Sequence, residues 1–185
     1  MSIYTGLVHY PVYNKKRDRI VSSVTTLDIH DMARLAKTYD INKLYIITPI
    51  KEQHFLIKNI INHWTVGYGA KYNPDRREAI KLVNIVSYIE DASKDIMQIT
   101  GNRPLFIATD ANKWDNKFIS FKDARKIIKD NYPILLLFGT AWGLHEEVLD
   151  TVDYILEPVY GRSGYRHLSV RTAAAIIIDR LLGEV

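Results

Sequence analysis

Two segments in the last third of the chain carry the residue types and spacing that a ligand-binding site needs. Residues 138–144 (FGTAWGL) follow an apolar run, and Gly139 and Gly143 would let the backbone approach a ligand closely. Residues 157–169 hold two glycines, two tyrosines, two arginines and a histidine. Either segment alone also fits an ordinary turn or loop, but together they predict a ligand site.

A mostly apolar helix is predicted directly after the second segment. Residues 170–178 (VRTAAAIII) are apolar almost all round, which indicates a buried helix. Ser169 is placed to cap its first turn, and Gly183 is placed to end it. The small alanines at its centre would allow a ligand or a backbone to approach closely.

Several kinds of chemistry are excluded by what the sequence lacks. It has neither the G-x-x-x-x-G-K-[ST] phosphate loop nor the G-x-G-x-x-G dinucleotide fingerprint. The nearest approach, Gly67-Tyr68-Gly69, is interpreted as a turn after a helix. The absence of cysteine excludes disulfides, thiolate zinc sites, iron–sulfur clusters and cysteine nucleophiles.

The overall composition predicts one ordinary globular domain over residues 1–185, with 47% hydrophobic residues. A formal net charge of +4 permits a nucleic-acid partner without requiring one. No apolar run is long enough to span a bilayer, and the first residues do not resemble a secretory signal. We therefore expect no membrane attachment and a cytoplasmic location.

Strand-like and helix-like segments alternate along the chain, and this alternation predicts how the site is positioned. The pattern is typical of an α/β fold with a mainly parallel sheet and helices on both faces, whose ligands bind beyond the carboxyl ends of the strands. The predicted strands are 3–8, 43–48, 83–89, 105–108, 134–138 and 154–156. The predicted helices are 28–39, 51–64, 75–80, 91–100, 121–129, a short one from 144, and 169–182.

Three of these segments resemble known motifs. Residues 138–144, 155–158 and 165–175 are similar, in order and in distance from the C-terminus, to the second and third motifs of SPOUT methyltransferases. The resemblance covers essentially the whole chain, and it is strongest to a small bacterial group similar to the tRNA guanine-N1 methyltransferase-like C-terminal domain. It implies a deep C-terminal trefoil knot, a homodimer, and S-adenosylmethionine-dependent methylation of RNA.

The resemblance also implies which residues bind S-adenosylmethionine. They belong to three loops, the first at 108–110, the second at 138–143 and the third at 155–169. The implied cofactor-binding residues are Ala108, Thr109, Asp110, Phe138, Gly139, Thr140, Gly143, Ile155, Leu156, Pro158, Tyr165, His167, Leu168, Ser169 and Ala173. Because the sulfonium donor is already activated, neither a metal nor a covalent adduct is expected.

A further match concerns catalysis. Residues 28–36 resemble the first motif of SPOUT ribose methyltransferases, N-x-G-x-x-x-R-x-A, with Arg34 in the arginine position, Asp28 in place of asparagine and His30 in place of glycine. Arg34 is therefore predicted to position a phosphate or activate the substrate. Its alternative role is an exposed helix residue paired with Asp31. The candidate proton acceptors are Asp28, His30, Asp110 and His167.

The RNA partner, tRNA or rRNA, would need cationic and aromatic contacts. The predicted contacts are Lys15 to Arg19, Arg76, Arg77, Arg162 and Arg166, with Tyr72, Tyr160 and Tyr165 available to stack on bases. The methyl acceptor would be a base nitrogen or a ribose 2′-hydroxyl. Two other interpretations stay open: a catalytically inactive S-adenosylmethionine-binding knot that docks RNA or dimerises, and an unrelated flavodoxin-like nucleotide-binding domain.

Overall fold

The computed structural model describes residues 1–114 and 116–184, and it contains strands and helices in alternation. The strands are β1 (Ile3–Val8), β2 (Val12–Tyr13), β3 (Arg19–Ile20), β4 (Lys43–Ile47), β5 (Val83–Val86), β6 (Leu105–Thr109), β7 (Phe118–Ile119), β8 (Ile134–Gly139) and β9 (Tyr154–Leu156). The helices are α1 (Thr26–Thr38), α2 (Lys51–Thr65), α3 (Tyr68–Tyr72), α4 (Pro74–Ile80), α5 (Ile89–Thr100), α6 (Phe121–Lys129), α7 (Glu146–Leu149) and α8 (Val170–Leu182).

Seven strands form one sheet in the order β5-β4-β1-β8-β6-β9-β7. Every neighbouring pair in it is parallel, whereas β2 and β3 form a separate antiparallel ribbon. The continuous apolar run of β8 lies near the centre of the sheet and is buried from Ile134 to Phe138. This confirms the predicted α/β fold, since a strand covered on both faces has no polar side.

The strand order also shows late strands inserted between earlier ones. β8 lies between β1 and β6, and β9 lies between β6 and β7. In both cases the inserted strand comes later in the sequence than the strands on either side of it. The trefoil knot implied by the resemblance stays a prediction, and this order is compatible with it.

Helices cover both faces of the sheet. One face packs against α1, α4, α6 and α8 in the larger apolar core, which also receives Ile57 of α2. The other face packs against α5, α7 and Val12 of the β-ribbon. Among the described residues, no helix combines the length and the apolar character needed to cross a membrane.

Local sequence signals explain most of the element boundaries. Ser169 caps α8 by accepting a hydrogen bond from the Thr172 amide, and Gly101 ends α5 in the left-handed region at φ 79°. The strand predicted over 83–89 was too long, because β5 ends at Val86 and Ile89 already begins α5. There the Asp91 carboxylate accepts a hydrogen bond from the Tyr88 amide and starts the helix early.

Three further expectations need correction. α8 is buried on one side only, at Ala174, Ile177, Ile178 and Leu181, while Ala175 on its other side is exposed. The segment predicted as a turn at Gly67-Tyr68-Gly69 begins the short helix α3. The strands β2, β3 and β7 were not predicted, since two-residue strands are too short to show a periodic pattern.

Candidate functional site

The three predicted cofactor loops follow strands that are direct neighbours. Ala108 of β6 lies opposite Leu137 of β8 and opposite Ile155 of β9. Because all three strands are parallel, their carboxyl ends meet at one edge of the sheet. The loops at 108–110, 138–143 and 155–169 therefore begin side by side.

The second loop is a tight turn that depends on both of its glycines. A Cβ on Gly139 would lie 2.6 Å from the Leu144 nitrogen, so no larger residue fits without moving the backbone. Gly143 adopts φ +96°, a conformation that side chains other than hydrogen disfavour. The loop is also tied to β2, because the Trp142 amide donates to the Tyr13 carbonyl at 3.0 Å.

A buried network of polar side chains also holds the second loop in place. His9, fully buried at the end of β1, bonds through Nδ1 to the Ser22 hydroxyl at 2.9 Å. That hydroxyl bonds to Thr140 Oγ1 at 2.5 Å, and Thr140 Oγ1 donates to the Val8 carbonyl at 2.9 Å. The network thus joins the loop after β8 to the loop after β1.

His9 is neutral in the fold because burial lowers its pKa to about 4, against the opposing effect of the Asp28 carboxylate. Its Nε2 atom is buried and has no hydrogen-bond partner among the described residues. Sequence reasoning missed His9. The available signal was a polar side chain directly after an apolar strand, at the edge where parallel sheets bind ligands.

The first loop is held by local hydrogen bonds. Thr109 Oγ1 donates to the Leu137 carbonyl at 3.0 Å, which links this loop to the strand before the second loop. The Asp110 carboxylate accepts from the Asn112 amide at 2.6 Å and closes a small turn. The Asp110 side chain therefore has a structural role in this turn, while its role at a cofactor site stays a prediction.

The third loop divides into a buried base and an exposed upper part. Ile155, Leu156 and Pro158 are buried, whereas residues 160–169 are all exposed. The Tyr165 side chain is 67% exposed and lies edge-on to His167, with ring centroids 5.6 Å apart. Ala173, one turn into α8, is half-buried against the larger core.

Helix α1 contacts the start of α8 through ion pairs. Arg171 binds the Asp31 carboxylate through Nη1 at 2.6 Å and the Asp28 carboxylate through Nε at 3.2 Å. Asp28 also accepts a hydrogen bond from the Thr25 hydroxyl at 2.6 Å. These bonds hold the first predicted motif against the third, although 140 residues separate Asp31 from Arg171.

Arg34 and His30 are neighbours on α1, four residues apart, but their side chains contact different elements. A groove of about 540 Å³ between α1 and α8 is lined by Arg34 together with Ser169 and Thr172. The expected alternative pairing of Arg34 with Asp31 is absent, since Asp31 binds Arg171 instead. His30 lies against Trp64 of α2, with ring centroids 5.4 Å apart, and burial lowers its pKa. His30 thus contacts α2, whereas Arg34 lines the groove with α8.

The predicted RNA-binding residues are spread over several surfaces. Tyr72 and Tyr165 are exposed, and the guanidinium of Arg166 lies 5.5 Å above the Tyr160 ring. Arg76 lies 4.5 Å above the Trp64 ring, far along the chain from the late loops. Within residues 1–114 and 116–184, no group of three or more histidine, aspartate or glutamate side chains is arranged to hold a metal.

Comparison with known proteins gives a family match over nearly the whole chain. A family model described as SAM-dependent RNA methyltransferase matches residues 2–183. A tRNA (guanine-N(1)-)-methyltransferase of Oleidesulfovibrio alaskensis is 48% identical over 183 residues, covering 99% of this chain and 42% of its own length. An uncharacterised protein of Aquifex aeolicus is 42% identical, covering 99% and 89% respectively. The chain therefore spans less than half of the first of these relatives.

Solved structures with the same fold have little sequence identity to this chain. A probable methylase family protein from Haemophilus influenzae has a TM-score of 0.64 at 20% identity, covering 97% of this chain and 64% of its own. A TrmH/SpoU tRNA modifying enzyme from A. aeolicus has a TM-score of 0.55 at 15% identity, covering 98% and 74%. An AdoMet-bound rRNA methyltransferase from Sinorhizobium meliloti has a TM-score of 0.55 at 14% identity, covering 97% and 55%.

Proposed function

The chain belongs to the family of SAM-dependent RNA methyltransferases and has the SPOUT fold, and from this premise we propose that it methylates tRNA. The observation that carries the proposal is the family match over residues 2–183, in a fold whose three late loops begin side by side. The tRNA substrate is supported by the name of the O. alaskensis relative. The proposed methyl acceptor is a base nitrogen or a ribose 2′-hydroxyl.

The three loops would hold S-adenosylmethionine, which supplies a methyl group on a positively charged sulfur. The residues fit such a ligand, because nothing lies within 4 Å of the Cβ position of Gly143, so a ligand can approach the backbone closely there. Leu156 and Pro158, which are buried in the third loop, would form the apolar base of an adenine site. Asp110, Tyr165, His167, Leu168 and Ser169 would complete the cofactor contacts from the first and third loops.

We assign Arg34 the task of holding the acceptor nucleotide. Its groove is shared with Ser169, so a phosphate gripped by the guanidinium would lie next to the third loop. Methyl transfer needs the acceptor, the methyl carbon and the sulfur in line, and alignment of this kind lowers the barrier by several kcal/mol. Among the proton acceptors, Asp110 and His167 lie on the cofactor loops, whereas Asp28 is ion-paired and His30 lies against Trp64.

The proposal includes a homodimer and a cytoplasmic site of action. Dimerisation would bring a second copy against the exposed side of α8, beside the groove that Arg34 lines. A tRNA substrate places the reaction in the cytoplasm. No observation favours the alternative of a catalytically inactive docking module.

The test is methyl transfer by the purified chain. Radiolabelled S-adenosylmethionine is incubated with bulk tRNA or, in a parallel reaction, with rRNA, and labelled nucleosides are identified by mass spectrometry. We expect one methylated nucleoside from tRNA. Tight S-adenosylhomocysteine binding without methyl transfer to either RNA would contradict the enzymatic proposal and leave a binding module.

A further inference from the structure

Helix α6 carries a row of cationic side chains that none of the predicted motifs includes. Its sequence, FKDARKIIK, places Lys122, Arg125, Lys126 and Lys129 at intervals of three and four residues, so they share one side of the helix. Ala124 and Ile128 on the other side are buried in the larger core. The helix is therefore an amphipathic surface helix with a basic outer face.

This face forms one wall of a groove of about 460 Å³ against α8. The lining consists of five cationic side chains and one aromatic ring, with no carboxylate among the lining residues. Those residues are Phe121, Lys122, Arg125, Lys126, Lys129 and Arg180.

Several contacts fix the groove without neutralising it. The Arg125 side chain donates to the Arg180 carbonyl, and the Arg180 guanidinium lies 5.2 Å above the Phe121 ring. Lys126 pairs with Asp123 at 2.7 Å, in an exposed ion pair that water and salt weaken. Within residues 1–114 and 116–184, neither Lys122 nor Lys129 forms an ion pair.

The groove adjoins the proposed cofactor site. The amide of Phe121, which begins α6, donates to the Glu157 carboxylate at 2.9 Å. Glu157 lies in the third loop, and that loop leads directly into α8. An RNA chain bound in the groove would therefore lie next to the third loop.

We infer that the α6–α8 groove binds the phosphate backbone of the substrate RNA, an inference that rests on the proposed function. Five like charges around one groove repel each other, and a polyanion relieves that repulsion while releasing its own counterions. The basic face of α6 is about 10 Å long from Lys122 to Lys129, enough to contact successive phosphates. No base-reading geometry is needed, so binding here is independent of RNA sequence.

The experiment compares the Lys122→Gln/Lys129→Gln variant with a control, Lys94→Glu, which has the same net charge change of −2. Lys94 is exposed on α5, on the opposite face of the sheet. Binding of bulk tRNA is measured by fluorescence anisotropy at a series of salt concentrations. We expect about tenfold weaker binding by the groove variant and a slope of log affinity against log salt reduced by about 1.4 to 1.8, with the control unchanged.

Equal behaviour of the two variants would overturn the inference, and so would undetectable tRNA binding by the wild-type chain. Sedimentation of both variants tests whether the groove is instead an interface between copies, since a dimer lost only in the groove variant would also overturn it. RNA binding requires no methyl transfer, so a wild-type chain that binds tRNA but methylates nothing contradicts the proposed function alone. In that case the anisotropy comparison still tests whether the α6–α8 groove binds RNA.

Discussion

The second and third loops begin on strands flanking β6, yet they are built in opposite ways. The second is held by backbone bonds to β2 and by the buried His9–Ser22–Thr140 network. The third has a buried base but an exposed upper part, where the Tyr165 amide bonds only locally to the Ser163 hydroxyl at 3.4 Å. The difference indicates that the second-loop side of the proposed cofactor site is preorganised, while the third-loop side is free to adapt to a bound molecule.

The largest expected effect comes from breaking the rigid loop. Gly139→Val should lower S-adenosylhomocysteine affinity by more than ~1000-fold, about 4 kcal/mol, because the new side chain displaces the Leu144 backbone. The matched control is Gly161→Val in the exposed part of the third loop, where a Cβ meets nothing within 4 Å. Calorimetry on both variants makes the measurement. Similar affinities would mean that the two loops do not differ as proposed.

The second prediction concerns Arg34, which lines the groove beside the third loop. Arg34→Ala should cut methyl transfer at least ~100-fold, about 3 kcal/mol, with S-adenosylhomocysteine affinity unchanged, because the proposed contact of Arg34 is with RNA and not with the cofactor. Arg34→Lys should not restore activity, since lysine lacks the planar guanidinium fork. Lys37→Ala, an exposed position on the same helix, is the control. Unaltered turnover by Arg34→Ala would leave the phosphate-positioning role without support.

The buried histidine makes the rigid side sensitive to acid. His9 has a folded pKa of about 4, below its ordinary value of 6.5, so the unfolded chain binds more protons between these pH values. Its contribution to stability is therefore present above pH 6.5 and is lost as the pH falls towards 4. From pH 7 to pH 5 the loss should be about 2 kcal/mol.

The measurement is urea unfolding of the wild-type chain and His9→Gln at both pH values. The variant should be less stable at pH 7, because it disturbs the bond to Ser22, and should show a smaller change with pH. Ser22→Ala, which leaves the imidazole in place, should keep most of the pH dependence. Identical pH dependence in the wild-type chain and His9→Gln would refute the assignment.

The smallest effect is expected at the exposed part of the third loop. Tyr160→Ala should raise the KM for tRNA by about fivefold through loss of a stacking surface, with kcat and S-adenosylhomocysteine affinity unchanged. Tyr132→Ala is the control, since Tyr132 is also exposed but lies at the other end of the sheet, just before β8. Steady-state kinetics on both variants separates KM from kcat, and a matching rise in the control would remove the specific role of Tyr160.

Much of the fold followed from local patterns in the sequence. The alternation of apolar runs and helical periods predicted six of the seven strands of the main sheet, and caps such as Ser169 and Gly101 marked helix ends. The carboxyl-end rule for parallel sheets brought the three loops to one edge, and the SPOUT resemblance is confirmed by the family match. These signals are readable because they depend on near neighbours in the chain.

The long-range partners were decided only by the tertiary structure. Strand order sets Thr140 beside Ser22, Arg171 beside Asp31, and Arg180 beside α6, across separations of 55 to 140 residues. A helical repeat tells which side of α1 is polar, but it cannot tell that Arg34 lines the α8 groove while His30 packs on Trp64. The sequence determines the period and the caps of each element, whereas side-chain pairing depends on which elements the sheet makes neighbours.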